Sequence, residues 1–170
     1  LATSCGWAQW EPGWDKPIYG EWDLPGDPGE VGRKSVALHR HLADLHELAP
    51  ITRIGFEGGI PTNRMRGSTN MTTIYLLASL AGHTESFGFA ISARVRNVPQ
   101  SAWRKYALGK GSGHKSADFK KMSFARAREM GWAPTTSDAA DALMVLDYLI
   151  YLSEIVPPWR DANVLRREIA

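Results

Sequence analysis

The sequence predicts an α/β fold in which a mixed sheet is flanked by helices. Strand-like and helix-like patterns follow one another in the order hairpin, helix, strand, helix, strand and a group of helices. Residues 51–57 read as a short strand of the buried type that ends at Glu57 and two glycines. Residues 30–48 instead repeat apolar side chains every three to four positions, which indicates an amphipathic helix. Alternation of this kind is typical of layered α/β domains.

The same signals assign the other elements. The first ten residues read as a strand, and Pro12 and Gly13 turn it into a second strand that pairs with it as a hairpin. This second strand covers residues 16–23, and a further strand covers residues 94–98. Helices are predicted over residues 70–91, from Pro99 near Trp103, from the loop at 109–115 to Met130, and over 138–155.

Size and composition indicate an ordinary globular protein. A chain of 170 residues with 44% hydrophobic and 22% charged residues is long enough for one domain of ordinary size, assigned to residues 1–156, with a tail over 157–170. Its one cysteine, Cys5, excludes an internal disulfide and fits a reducing cytoplasm. No signal peptide is visible, and the longest apolar run, residues 142–152, is too short to span a bilayer and contains Asp147. We therefore expect a cytoplasmic protein without a membrane partner.

Basic residues are concentrated in one part of the chain. Residues 94–128 contain ten of the 20 lysines and arginines and one acidic residue, Asp118, whereas residues 129–158 contain no basic residue. A basic block beside an acidic helix suggests a polyanion held next to a metal site. The alternative is a solvated basic helix face, and we accept it for Arg126 and Arg128.

Asp138 and Asp141 carry the clearest chemical signal. They lie three residues apart in the predicted first turn of the last helix, so both project from one face. The positive end of the helix dipole favours anions there, and the alanines between them leave room for a ligand. Two convergent carboxylates predict a site for a hard cation such as Mg²⁺. The alternative is that Asp138, which follows residues 135–137, merely caps the helix.

Several segments together resemble the RuvC-type Holliday junction resolvases, with the phage and prophage branch the nearest. The segments are Glu57, the helix that begins at Asn70, Pro99-x-x-x-Trp103-Arg104, Gly109-x-Gly111-x-x-x-Lys115 and Asp138-Ala-Ala-Asp141-Ala-Leu. The resemblance implies a ribonuclease H-like fold and a homodimer that acts on branched DNA, the four-way junction, in a bacterial or phage-infected cell. It also implies four acidic residues that hold two Mg²⁺ ions, for which Mn²⁺ can substitute.

The resemblance assigns roles to particular residues. Glu57, Asp138 and Asp141 match the second, third and fourth acids, and Lys115 matches a lysine of the catalytic site. The first acid is expected immediately before the run Leu-Ala-Thr that opens the chain, so either the chain as given begins after it or the protein lacks it. The residues expected to contact DNA are Arg64, Arg66, Arg104, Lys105, Lys110, Lys115, Lys120 and Lys121.

Some assignments leave alternatives open. Ile60 or Met65, in the loop after Glu57, is a candidate wedge between bases, although a loop methionine more often packs on its own protein. His114 either contacts phosphate or is an exposed loop residue. The protein itself is a junction resolvase, another ribonuclease H-like nuclease on branched DNA or RNA–DNA hybrids, or a non-catalytic junction-binding protein. A small-molecule enzyme would leave the basic block unexplained.

Overall fold

The computed structural model describes residues 4–27, 29–58 and 71–160. Its elements follow the predicted order, which confirms the α/β assignment. They are β1 (Ser4–Gln9), β2 (Ile18–Asp23), α1 (Val31–Leu48), β3 (Arg53–Glu57), α2 (Met71–Ala90), β4 (Arg94–Val98), α3 (Gln100–Leu108), α4 (Ser116–Glu129), α5 (Ser137–Tyr151) and a 3₁₀ turn (Pro158–Arg160).

The strands form two small sheets. β1 pairs with β2, as the hairpin prediction requires, and β3 pairs with β4. The second pair is parallel, with Arg53 opposite Arg94 and Glu57 opposite Val98. Within the described ranges the predicted single mixed sheet is therefore wrong, since the strands form two separate pairs. Apolar patterns predict which residues are extended, but they do not determine which strand edges meet.

Contacts divide the chain into two compact units. Among the described residues, the first unit consists of residues 4–5 and those between Trp22 and Pro99, and the second consists of Gly6–Glu21 and residues 100–160. Glu57 belongs to the first unit, whereas Asp138 and Asp141 belong to the second.

In the first unit, α1 and α2 pack together and α2 also contacts β3 and β4. The buried core consists of Leu24, Leu38, Leu42, Ile54 and Phe87. Gly88 of α2 has no room for a side chain, because a Cβ there would overlap Val95 of β4. The helix can therefore approach the strand closely only with glycine at this position.

In the second unit, α3, α4 and α5 pack on one another, and α4 and α5 share the most extensive contact. Trp103, Phe119, Leu143 and Met144 are buried between them. α5 ends at Tyr151, four residues before the predicted end at 155. The apolar pattern continues past this point, but the backbone turns, with Glu154 at a φ of +56°.

The segment after α5 is held on this second unit by a buried ion pair. Asp147 of α5 is 1% exposed and pairs with the guanidinium of Arg160. It also accepts a hydrogen bond of 3.0 Å from the indole N–H of Trp159. The Trp159 ring contacts Trp10 and Trp132 edge to face. Among the helices that the structure describes, none is long and apolar enough to cross a membrane.

Candidate functional site

The first turn of α5 begins with a threonine cap. Thr136 precedes the helix, and its Oγ1 accepts a hydrogen bond from the backbone N–H of Ala139 at 3.2 Å. This is the usual arrangement at a helix N-terminus. Asp138 is therefore not the capping residue, and the alternative that it merely caps α5 is wrong. Its carboxylate lies in the first turn, where the helix dipole favours a negative charge.

Asp141 lies one turn further on, and it is more buried than an ordinary acidic residue. Burial raises the pKa of Asp141 above its usual value, and the charge of Asp138 adds to this rise. Ser123, Arg104 and Lys120 act on the pKa in the opposite direction. Oδ1 of Asp141 is shielded from solvent and makes no hydrogen bond of normal geometry within the described residues, although the nearby Ser123 hydroxyl favours its ionised form. A buried carboxylate oxygen without such a hydrogen bond, beside a second carboxylate, fits the ligand preference of a hard divalent cation.

Arg104 reaches this region from α3. Its guanidinium carbon lies 4.3 Å from the ring centroid of Phe119 and 5.3 Å from that of Trp103. A planar guanidinium is suited to such stacking, which a lysine ammonium cannot reproduce. Nε of Arg104 is buried and makes no hydrogen bond to any described residue. The arginine is thus oriented by aromatic packing while its charge acts on Asp141.

Lys120 of α4 contacts the start of α5 directly. Its Nζ donates a hydrogen bond of 3.0 Å to Oγ of Ser137 and lies 4.0 Å from Oδ1 of Asp138. Oγ of Ser137 donates in turn to Oδ1 of Asp138 at 3.2 Å. The structure therefore brings Asp138, Asp141, Arg104 and Lys120 together, with both signs of charge in one small region.

The glycine-rich loop before α4 is packed against the protein at several points. Gly109 and Gly113 have φ angles of +72° and +89°, which favour glycine. A Cβ on Gly111 would lie 2.6 Å from the carbonyl oxygen of Ser101, so the loop folds closely onto the start of α3. The His114 ring packs edge-on against Phe119 at a centroid distance of 5.6 Å. The loop holds exposed Lys110 and Lys115, and Lys115 immediately precedes the first turn of α4.

Gly6 was not predicted to belong to the site, but it shapes it. A Cβ at this position of β1 would overlap the backbone carbonyl of Asp138. Only glycine allows the strand to lie so close to the first turn of α5. A glycine inside a strand pattern is the sequence signal for such an approach, although it does not identify the partner.

The other predicted residues are more scattered. Glu57 ends β3 and is exposed, while Lys105 on α3 and Lys121 on α4 are exposed lysines. Arg64 and Arg66 lie outside the described residues, as do Ile60 and Met65. The part of the chain that the structure describes contains no cluster of three or more His, Cys, Asp or Glu side chains arranged to hold a metal ion.

Comparisons with known proteins show what fold surrounds these residues. No protein-family model and no curated protein matches the sequence. Among solved structures, this chain is similar to RuvC of Thermus thermophilus. The match covers 89% of this chain and 90% of the RuvC chain, with a TM-score of 0.61 and 15% sequence identity. A second match, to RuvC of T. thermophilus in complex with a Holliday junction substrate, covers 81% of this chain and 78% of that RuvC chain, with a TM-score of 0.59 and 15% sequence identity. The chain therefore has a RuvC-like fold, and the phage branch stays a prediction.

Proposed function

We propose that this protein is a structure-selective endodeoxyribonuclease that resolves four-way (Holliday) DNA junctions by metal-dependent hydrolysis of phosphodiester bonds. The observation that carries the proposal is the pair Asp138 and Asp141 at the start of α5, with a buried carboxylate oxygen that makes no hydrogen bond of normal geometry within the described residues. The RuvC-like fold supports it, because one of the similar structures is bound to a Holliday junction substrate. The proposal includes the ribonuclease H-like classification of the fold.

Asp138 and Asp141 are the residues of the second unit that would hold Mg²⁺ or Mn²⁺, and Glu57 stays a predicted metal ligand from the resemblance. Such ions supply stabilisation of the attacking and leaving oxygens during phosphodiester hydrolysis. Carboxylates are the appropriate ligands, because these cations prefer charged oxygen donors. The close approach of β1 at Gly6 supports this role for the α5 carboxylates, since it keeps the first turn of α5 packed against the strand.

The cations of the second unit would hold the DNA backbone. Arg104, oriented by Phe119 and Trp103, and Lys115, at the end of the glycine-rich loop, would contact phosphates near the cleaved bond. Backbone contacts from exposed lysines carry no sequence information and position the duplex. The exposed lysines proposed for this role are Lys105, Lys110 and Lys121, and the proposal extends it to Arg64 and Arg66.

Resolution of a junction needs two symmetric cuts, so we propose a homodimer. α2 supports this, because it exposes large apolar side chains that the other described residues leave uncovered. Phe89 is 87% exposed, Met71 73% and Tyr75 66%. Small residues on the same helix, Ala78 and Gly82 among them, would allow a partner helix to approach closely.

Substrate selectivity tests this function. The full natural protein would be incubated with Mg²⁺ or Mn²⁺ and an end-labelled four-way junction, a linear duplex of the same sequence or an RNA–DNA hybrid. We expect paired, symmetric nicks in the junction and none in the duplex. Cleavage of the hybrid in preference to the junction would instead identify another ribonuclease H-like nuclease, and tight junction binding without cleavage would identify a binding protein.

A further inference from the structure

A chain of hydrogen bonds links α4 to the acidic start of α5. It runs from the ammonium of Lys120 through the hydroxyl of Ser137 to the carboxylate of Asp138, over distances of 3.0 and 3.2 Å. Lys120 also contributes a charge that favours the ionised form of Asp141. One lysine therefore acts on both carboxylates of the pair.

The contact is exchangeable and is not part of the core. The side chain of Lys120 is 49% exposed and that of Asp138 is 41% exposed. Ion pairs at such exposure contribute little to stability, and the lysine stem is flexible. Lys120 can therefore leave the carboxylates at little cost when a stronger cation arrives.

We propose that Lys120 is a displaceable counter-ion of the carboxylate pair, which positions Asp138 in the metal-free protein and is driven out when a divalent cation binds. The inference rests on the proposed function, because it concerns the same metal site. An ammonium group about 4 Å from the metal-binding oxygen repels the incoming cation. Lys120 thus keeps the pair ordered when it is empty and weakens its affinity for metal. Lys120 is therefore a positioning residue for Asp138.

The next residue of α4 provides a matched control. Lys121 carries the same charge and is exposed. The hydrogen bond to Ser137 and the ion pair with Asp138 come from Lys120 and not from Lys121. Consecutive helical residues project about 100° apart, so Lys121 leaves α4 on a different face from Lys120, which faces the start of α5. Lys120→Gln and Lys121→Gln therefore change the net charge equally but differ at the carboxylates.

Titration of the DNA-free full protein with Mn²⁺, followed by calorimetry, measures this effect without cleavage. We expect Lys120→Gln to bind Mn²⁺ roughly three- to tenfold more tightly than the wild type, from the Coulomb energy of unit charges about 4 Å apart in a water-like dielectric, since both side chains are partly exposed. Lys121→Gln should bind Mn²⁺ as the wild type does. Equal affinities for the two glutamine variants would overturn the proposal.

Thermal unfolding provides a second readout. In EDTA, Lys120→Gln should melt slightly below Lys121→Gln, because the exposed pair contributes little but the partly buried Asp141 also loses the charge of Lys120, and saturating Mn²⁺ should close the gap. A gap that persists in Mn²⁺ would show a structural role and overturn the proposal. Asp141→Asn separates this result from the proposed function. If it binds Mn²⁺ as the wild type does, the metal site itself fails; if it does not, and the lysine variants bind alike, the proposal for Lys120 alone fails.

Discussion

The surroundings of Asp141 disfavour its ionised form. Burial is the largest influence on its pKa, and Asp138 adds a second negative charge in the same turn. Three partners, Ser123, Arg104 and Lys120, offset this only in part, since the pKa remains raised. A partly buried carboxylate that is costly to keep ionised is typical of a functional position. The sequence indicated the pair by its spacing, but its burial depends on packing against α3 and α4.

Replacing Asp141 by Asn should stabilise the metal-free protein at neutral pH. A carboxyl group with a raised pKa in the folded state contributes its full stability below the unfolded pKa, near 4, and loses it as pH rises through the folded value. Asp141→Asn should therefore melt above the wild type at pH 7 in EDTA, and the difference should vanish near pH 3. Thermal unfolding between pH 3 and pH 8 checks this, and an equal melting temperature at pH 7 would contradict it.

The close packing of β1 against α5 depends on a single residue, Gly6. Gly6 allows the strand backbone to pass the carbonyl of Asp138, where a Cβ would overlap main-chain atoms. Main-chain atoms cannot rotate away as a flexible side chain can. The position of the acidic turn therefore depends on a residue that has no side chain.

Gly6→Ala should destabilise the protein by about 1–3 kcal/mol, as other insertions into a tightly packed contact do. It should also weaken Mn²⁺ binding, because the shift falls on Asp138. Gly32→Ala is a matched control in α1, where a Cβ would meet nothing within 4 Å and alanine favours the helix. Urea unfolding of both variants measures the difference. If Gly6→Ala were as stable as Gly32→Ala, the close packing of β1 on α5 would be contradicted.

The sequence predicted most elements because their patterns are local. Residues 94–98 were assigned as a strand and match β4, and the α1 stripe identified buried Leu38 and Leu42. The end of α5 was placed too late because Ile155 and Val156 continue the apolar pattern beyond the turn. The threonine cap and the contact of Lys120 with Ser137 depend on the backbone path and on tertiary packing. Neither property can be read from spacing.

At the scale of the whole molecule, the last described residues pack against α5 of the second unit. The pair of Asp147 and Arg160 joins α5 to the 3₁₀ turn, with Arg160 also 5.0 Å from the ring centroid of Tyr106. Burial raises the pKa of Asp147 to about 6, although the Trp159 indole N–H and the charge of Arg126 oppose the rise. The direct ion pair with Arg160 gives the buried carboxylate a partner of opposite charge.

Arg160→Met should destabilise the protein by about 3–5 kcal/mol, because it leaves a buried carboxylate without its partner. Since a raised pKa means that stability is lost as pH rises through it, the deficit should be larger at pH 8 than at pH 5. Arg128→Met, on an exposed arginine of α4, is the control and should have little effect. Urea unfolding at the two pH values measures both, and a deficit independent of pH would contradict the role of Asp147.

The most direct test of the account is cleavage of a four-way junction by Asp138→Asn and Asp141→Asn, with junction affinity measured on the same samples. Each variant keeps its size and loses the charge that a divalent cation requires. We predict that both variants bind the junction as the wild type does and produce no paired nicks in Mg²⁺ or Mn²⁺. Wild-type cleavage by either variant would contradict the assignment of the α5 carboxylates as the catalytic centre.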